Sequence, residues 1–120
     1  MNTNRITVRY ARALTETAYK VNLQNAVYSD MNLLLKTFEE FPKFKAFIEA
    51  PGMLAKTKIE RIKEVFGDQL NGLTFRFLTL IFERNRDPYL QMIARNVIAF
   101  TNEAENQTEA TLEVAHRLDP

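Results

Sequence analysis

His116 is the one histidine of the chain, and there is no cysteine. A zinc site built on imidazole needs further His, Cys or carboxylate ligands converging on one point. No acid pair stands at such a spacing, so no metal site is expected. Without a thiol there is neither a disulfide framework nor a cysteine nucleophile. Glu39 with Glu40, and Glu103 with Glu105, are the acid pairs that could exchange protons with a substrate. That work needs a buried pocket and shifted pKa values, and both pairs fall at polar helix ends, where a solvated face is expected. The three glycines, Gly52, Gly67 and Gly72, form no phosphate-cradling loop. The chain is read as non-catalytic, with no catalytic, cofactor-binding or metal-binding residue.

Charge offers a second route to function. Fifteen of the sixteen Lys and Arg lie in residues 1–100, with ten of the fifteen acids; the last twenty residues hold five acids and one base. The body is mildly basic and the tail acidic. The basic run Lys56, Lys58, Arg61 and Lys63 could touch RNA, but Glu60 and Glu64 interrupt it, and a solvated helix face is the better reading. No nucleic-acid partner is therefore expected; the alternative kept open is an all-helical RNA-binding or antitermination-like module using the basic faces of the first and fourth helices. No run approaches the ~18 apolar residues of a membrane span, and no signal peptide is expected at the N-terminus.

The elements that would position these side chains are all helical. At 120 residues one domain is expected. The first helix is expected over 3–21, capped by Thr3 or Asn4. Ile6, Tyr10, Ala13, Leu14, Thr17 and Val21 share one side of it; Val8, Ala11, Thr15 and Ala18 form a second, smaller side. The spacing of Val27, Met31, Leu34, Phe38 and Phe41 predicts a second helix. Pro42 suits the first position of a short third helix with Phe44, Phe47 and Ile48 inward. A fourth, over 55–66, carries Ile59, Ile62, Val65 and Phe66 inward and stops at Gly67. Asp87 and Pro88 start a sixth, with Leu90, Ile93, Val97 and Phe100 on its apolar side, fading over 101–107. Residues 108–118 alternate at Leu112 and Val114 and are read as a strand or extended segment. The fold class is all-α: a six-helix bundle with a short extended C-terminal tail.

The fifth helix, over 71–85, is the most apolar stretch. Leu73, Phe77, Leu80 and Ile81 fall on one side, and Phe75, Leu78 and Phe82 on the other. A surface helix needs only one apolar stripe. Helices one and five each have two. Either both are central in the bundle, or a groove between them takes an amphipathic partner helix.

Several segments resemble the delta subunit of F-type ATP synthases, the counterpart of the mitochondrial oligomycin sensitivity-conferring protein. The run from Arg9 through Tyr10, Ala11, Arg12 and Ala13 to Leu14 is similar to the motif that opens that family. Phe47, Ile48, Glu49, Ala50 and Pro51, then Lys58, Ile59, Val65 and Phe66, resemble its proline turn and lysine-bearing helix. Phe77 to Ile81, leading to Arg84, Asn85 and Arg86, resembles its fifth helix and the Asn-Gly-Arg segment after it, with Asn85 where glycine is expected. Asparagine also tolerates a left-handed turn.

The resemblance implies a stator (peripheral stalk) domain over residues 1–106 that binds N-terminal helices of alpha subunits on top of the catalytic head. Residues 107–120 would be a linker and the opening of a C-terminal domain, absent here, that holds the b-subunit stalk. No cofactor is implied. Membrane association would come only through the complex, on the cytoplasmic face of a bacterial inner membrane. By the same resemblance the partner helix lies between helices one and five, against Ile6, Tyr10, Ala13, Leu14, Thr17, Phe77, Leu80 and Arg84. Phe75, Leu78 and Phe82 would then face the core, close to the small side of helix one.

Overall fold

The computed structural model describes residues 3–118, which form six α-helices and no strand. These are α1 (Thr3–Lys20), α2 (Gln24–Glu40), α3 (Pro42–Glu49), α4 (Ala55–Phe66), α5 (Gly72–Glu83) and α6 (Leu90–Leu118), with 3-10 turns at Gly67–Gln69 and Asp87–Tyr89. The expected cap at Thr3 or Asn4 lies outside the described side chains.

Two asparagines end helices by the same device. Asn22 and Asn85 both have φ of 57°, in the left-handed region. After α1, the Leu23 N–H donates to the Ala18 carbonyl at 2.8 Å and the Asn22 N–H to Tyr19 at 3.3 Å. After α5, Arg86 donates to Ile81 at 2.9 Å and Asn85 to Phe82 at 3.1 Å. This pair of bonds satisfies carbonyls that the helix end leaves open. Gly67 ends α4 with φ of 54° and ψ of −125°, a conformation that essentially only glycine adopts.

The long element of the bundle is α6, and α1 and α2 both pack along it, while α5 packs mainly on α4 and touches α2. The small side of α1 is buried, at Ala11, Thr15 and Ala18, and the helix that small residues let approach is α6, not α5. On α5, Leu78, Ile81 and Phe82 are buried and Phe75 is half-buried. Core and surface differ from the apolar pattern at several places. Val8, Val21, Phe41 and Val65 are exposed, whereas Thr7, Asp30, Lys58, Thr74 and Thr101 are buried.

The two buried charges tie helices together. Asp30 on α2 accepts from the Asn71 N–H at 2.8 Å and from the Thr74 hydroxyl at 2.6 Å. Its carboxylate thus sits at the N-terminus of α5, where the helix dipole favours an anion. Asn71 itself caps α5 through the Leu73 N–H at 2.9 Å. Lys58 on α4 donates to the Ile48 carbonyl at 2.6 Å and pairs with Asp87. Asp87 is therefore spent on that lysine rather than on capping α6, which begins after a 3-10 turn.

The expected extended segment over 108–118 is helical, a continuation of α6. A lone strand has no edge to pair with here, whereas a helix satisfies its own backbone. Ala, Leu and Glu in this stretch favour helix. Thr108 and Thr111 bond back to the carbonyls four residues earlier, and Arg117 pairs with Glu113 at 2.9 Å. All residues of 106–117 are exposed, and of them Gln107, Thr108, Thr111 and Leu112 edge an open hollow beside Tyr19 of α1.

Candidate functional site

Between α1 and α5 lies an open groove of about 380 Å³. From α1 come Arg9, Tyr10, Ala13, Leu14 and Thr17; from α5 come Leu73, Arg76, Phe77 and Leu80, with Arg84 just past its end. Tyr10, Leu14 and Phe77 are buried in the core and also form the floor. Leu73 and Leu80 are half-buried on one wall, and Ala13 and Thr17 are exposed on the other. The two helices meet through side chains rather than through close backbone packing: the Tyr10 and Phe77 rings lie edge to face at 6.4 Å.

The end of the groove at Tyr10 is basic. Burial alone would raise the pKa of the Tyr10 phenol. Hydrogen bonds and positive charge from Arg84 and Arg86 outweigh this and hold it below the usual phenol range. The Arg9 guanidinium lies 5.8 Å from the Tyr10 ring centroid. No acidic side chain lines the groove.

Seven of the eight residues expected at the partner-helix site line this one groove: Tyr10, Ala13, Leu14, Thr17, Phe77, Leu80 and Arg84. Ile6 does not; it is a buried core residue one turn before Tyr10. Arg9, Leu73 and Arg76 also line it and were not expected there. Leu73 stands on the same stripe as Phe77, so its spacing carried the signal; for the arginines nothing in the spacing separates a groove rim from an ordinary solvated face.

The basic face of α4 that an RNA-binding reading would use loses one cation to the core, while Arg61 and Lys63 on it and Arg12 on α1 lie exposed beside aromatic rings. Lys58 is only 2% exposed. Arg12 lies over Phe100 at 4.6 Å, Lys63 over Phe75 at 5.8 Å and Arg61 over Phe47 at 6.0 Å. Among the described residues no group of His, Asp and Glu could hold a metal ion, and no helix is long and apolar enough to cross a membrane.

Residues 6–120 match the family model described as ATP synthase delta (OSCP) subunit. The chain belongs to that family. It is 31% identical over 113 residues to the ATP synthase subunit delta of Desulforudis audaxviator, covering 94% of this chain and 62% of that one. It is also 31% identical to the subunit delta of Chloroherpeton thalassium, over 92% of this chain and 61% of that one. The fold is similar to a chain in the cryo-EM structure of the Toxoplasma gondii mitochondrial ATP synthase hexamer, with a TM-score of 0.69 and 26% identity over 75% of this chain and 51% of that one. The chain thus spans less than two thirds of the length of these relatives. As a delta/OSCP N-terminal domain it places two of the segments that carried the resemblance at the groove, residues 9–14 on α1 and 77–81 on α5, with Arg84 just before the left-handed turn at Asn85; the segments at 47–51 and 58–66 do not line it.

Proposed function

We propose that this domain is a non-catalytic part of the peripheral stalk of an ATP synthase, and that its α1/α5 groove grips the N-terminal helix of an alpha subunit. Held there at the top of the catalytic head, the domain resists the torque of the rotor. Residues 107–120 lead toward a second domain that would carry the b-subunit stalk, and the complex places the domain peripherally on the cytoplasmic face of a bacterial membrane.

The observation that carries this reading is a groove of helix-binding character in a member of this family. Its floor is apolar and aromatic, two walls are helices, and the rim is polar. An amphipathic helix binds such a groove by burying anchors on one face.

Titration calorimetry with a ~20-residue peptide from the N-terminus of the alpha subunit of the same ATP synthase tests it, a length sufficient for such a helix. One-to-one binding with a negative heat-capacity change is expected, because apolar surface is buried. A folded domain that ignores the peptide overturns the assignment.

A further inference from the structure

Asn71 is followed by Gly72, and no other asparagine of the chain precedes a glycine. Asparagine is a labile residue. A following glycine makes it more so, because a backbone nitrogen with no Cβ beside it can approach the side-chain amide closely. In the fold this pair stands at the head of α5. Gly72 is exposed, and a Cβ on it would meet nothing within 4 Å, so the pair is open to solvent on that side. As the first residue of α5, Gly72 has no intrahelical acceptor for its N–H. The Asn71 Oδ1 accepts from the Leu73 N–H at 2.9 Å. That donor polarises the side-chain carbonyl and meets the charge that forms on its oxygen when a nucleophile adds to Cγ.

We propose that Asn71 is a site of spontaneous modification, converted to aspartate and isoaspartate through a cyclic imide with Gly72, and that the Asp30 carboxylate sets its rate. The Gly72 nitrogen gives its proton to solvent base and bonds to Cγ of Asn71. The Cγ–Nδ2 bond breaks, and Nδ2 takes a proton from water and leaves as ammonia. Water then opens the ring. Cleavage between Cγ and the Gly72 nitrogen gives aspartate; cleavage between that nitrogen and the main-chain carbonyl carbon gives isoaspartate. Amide and water become acid and ammonia, with no change of oxidation state.

The cap holds Asn71 at ψ of 151°. Ring closure needs a different ψ, so the first turn of α5 has to open. Asp30 resists this in two ways. Its carboxylate ties the Asn71 N–H at 2.8 Å and the Thr74 hydroxyl at 2.6 Å across that turn, and its negative charge disfavours the nitrogen anion that attacks. The products loosen the same turn. Aspartate sets a second carboxylate against Asp30, and isoaspartate, with its longer main chain, takes the capping oxygen away from Leu73. The consequence falls on Leu73, where one wall of the groove begins.

The whole 120-residue chain is incubated folded in mildly alkaline buffer, and each asparagine is followed by peptide mapping and mass spectrometry. Asn71 is expected to convert ahead of the other asparagines and to give both acids, told apart by electron-transfer fragmentation. Conversion of other asparagines ahead of Asn71, or aspartate alone, overturns the ring path. Gly72→Ala has room for its methyl and suits a helix; it is expected to lose most of the conversion, and an unchanged rate overturns the role of Gly72. Asp30→Ala is expected to convert about ten-fold faster when folded, the equivalent of one hydrogen bond to a charged group, and at the parental rate in urea. A folded Asp30→Ala chain no faster than the parent overturns the gate. Should Asp30→Ala not fold, Asp30→Asn keeps an acceptor oxygen without the charge, and a parental rate in it overturns the gate in the same way.

Discussion

The ammonium of Lys58 on α4 is buried between the Asp87 carboxylate, the Ile48 carbonyl and the face of the Phe82 ring, whose centroid is 5.6 Å away. One cation thus joins the end of α3, the first turn of α4, the core side of α5 and the turn into α6. Removing one partner of such a pair strands the other charge away from water. Lys58→Ala and Asp87→Ala are each expected to cost about 3–5 kcal/mol, whereas Lys58→Met with Asp87→Leu should recover much of that loss. Urea unfolding followed by circular dichroism checks this; a Lys58→Ala protein as stable as the parent means the pair does not form in solution.

Leu80 and Phe82 separate binding from stability on a single helix. Leu80 is half-buried on the groove wall, and Phe82 is 3% exposed in the core. Leu80→Asp should abolish binding of the alpha-subunit peptide while the helical spectrum is retained. Phe82→Ala should lose about 3–5 kcal/mol of stability. If Leu80→Asp unfolds the domain, the wall is core and the groove is not a docking surface.

Asp30 holds the first turn of α5, and hence one wall of the groove, to α2. Asp30→Ala leaves the Asn71 N–H and the Thr74 hydroxyl without their acceptor. About 1–3 kcal/mol should be lost, with the greatest rise in amide exchange at the start of α5. Uniform exchange along α5 would show that the carboxylate does not anchor that end.

The tyrosines should titrate in a set order. Burial, then the hydrogen bond to Glu105 at 2.8 Å and its negative charge, push Tyr19 up to about 12. Arg84 and Arg86 hold Tyr10 below the ordinary phenol value. The Tyr19 contribution to stability is therefore fully present below the unfolded value near pH 10 and is lost as pH rises toward about 12, because only the unfolded chain sheds that proton at first. Tyr10 acts oppositely, its phenolate forming earlier in the folded protein. In a tyrosinate absorbance titration, Tyr10→Phe should remove the earliest step and Tyr19→Phe the latest. The two variants giving the same curve would contradict both environments.

Periodicity and punctuation alone determined most of the architecture. Apolar spacing, Pro42 at a helix start and Gly67 at a helix end set out six helices, because these signals act through the backbone within a few residues. The doubled stripes of α1 and α5 left a central place in the bundle and a groove equally open, and the choice of groove residues came from the resemblance to the delta subunit family. What lies behind each face was decided by tertiary packing. Ala11 and Ala18 are small wherever they face, and only the assembled bundle turns them toward α6. Lys58 and Asp30 look like solvated charges in a polar pattern. They are buried because Asp87, Ile48, Asn71 and Thr74, distant in sequence, supply the hydrogen bonds that make burial of a charge affordable. The helical course of residues 108–118 shows the converse: with no neighbouring strand, the backbone satisfied itself locally, and the alternation of Leu112 and Val114 had nothing to pack against.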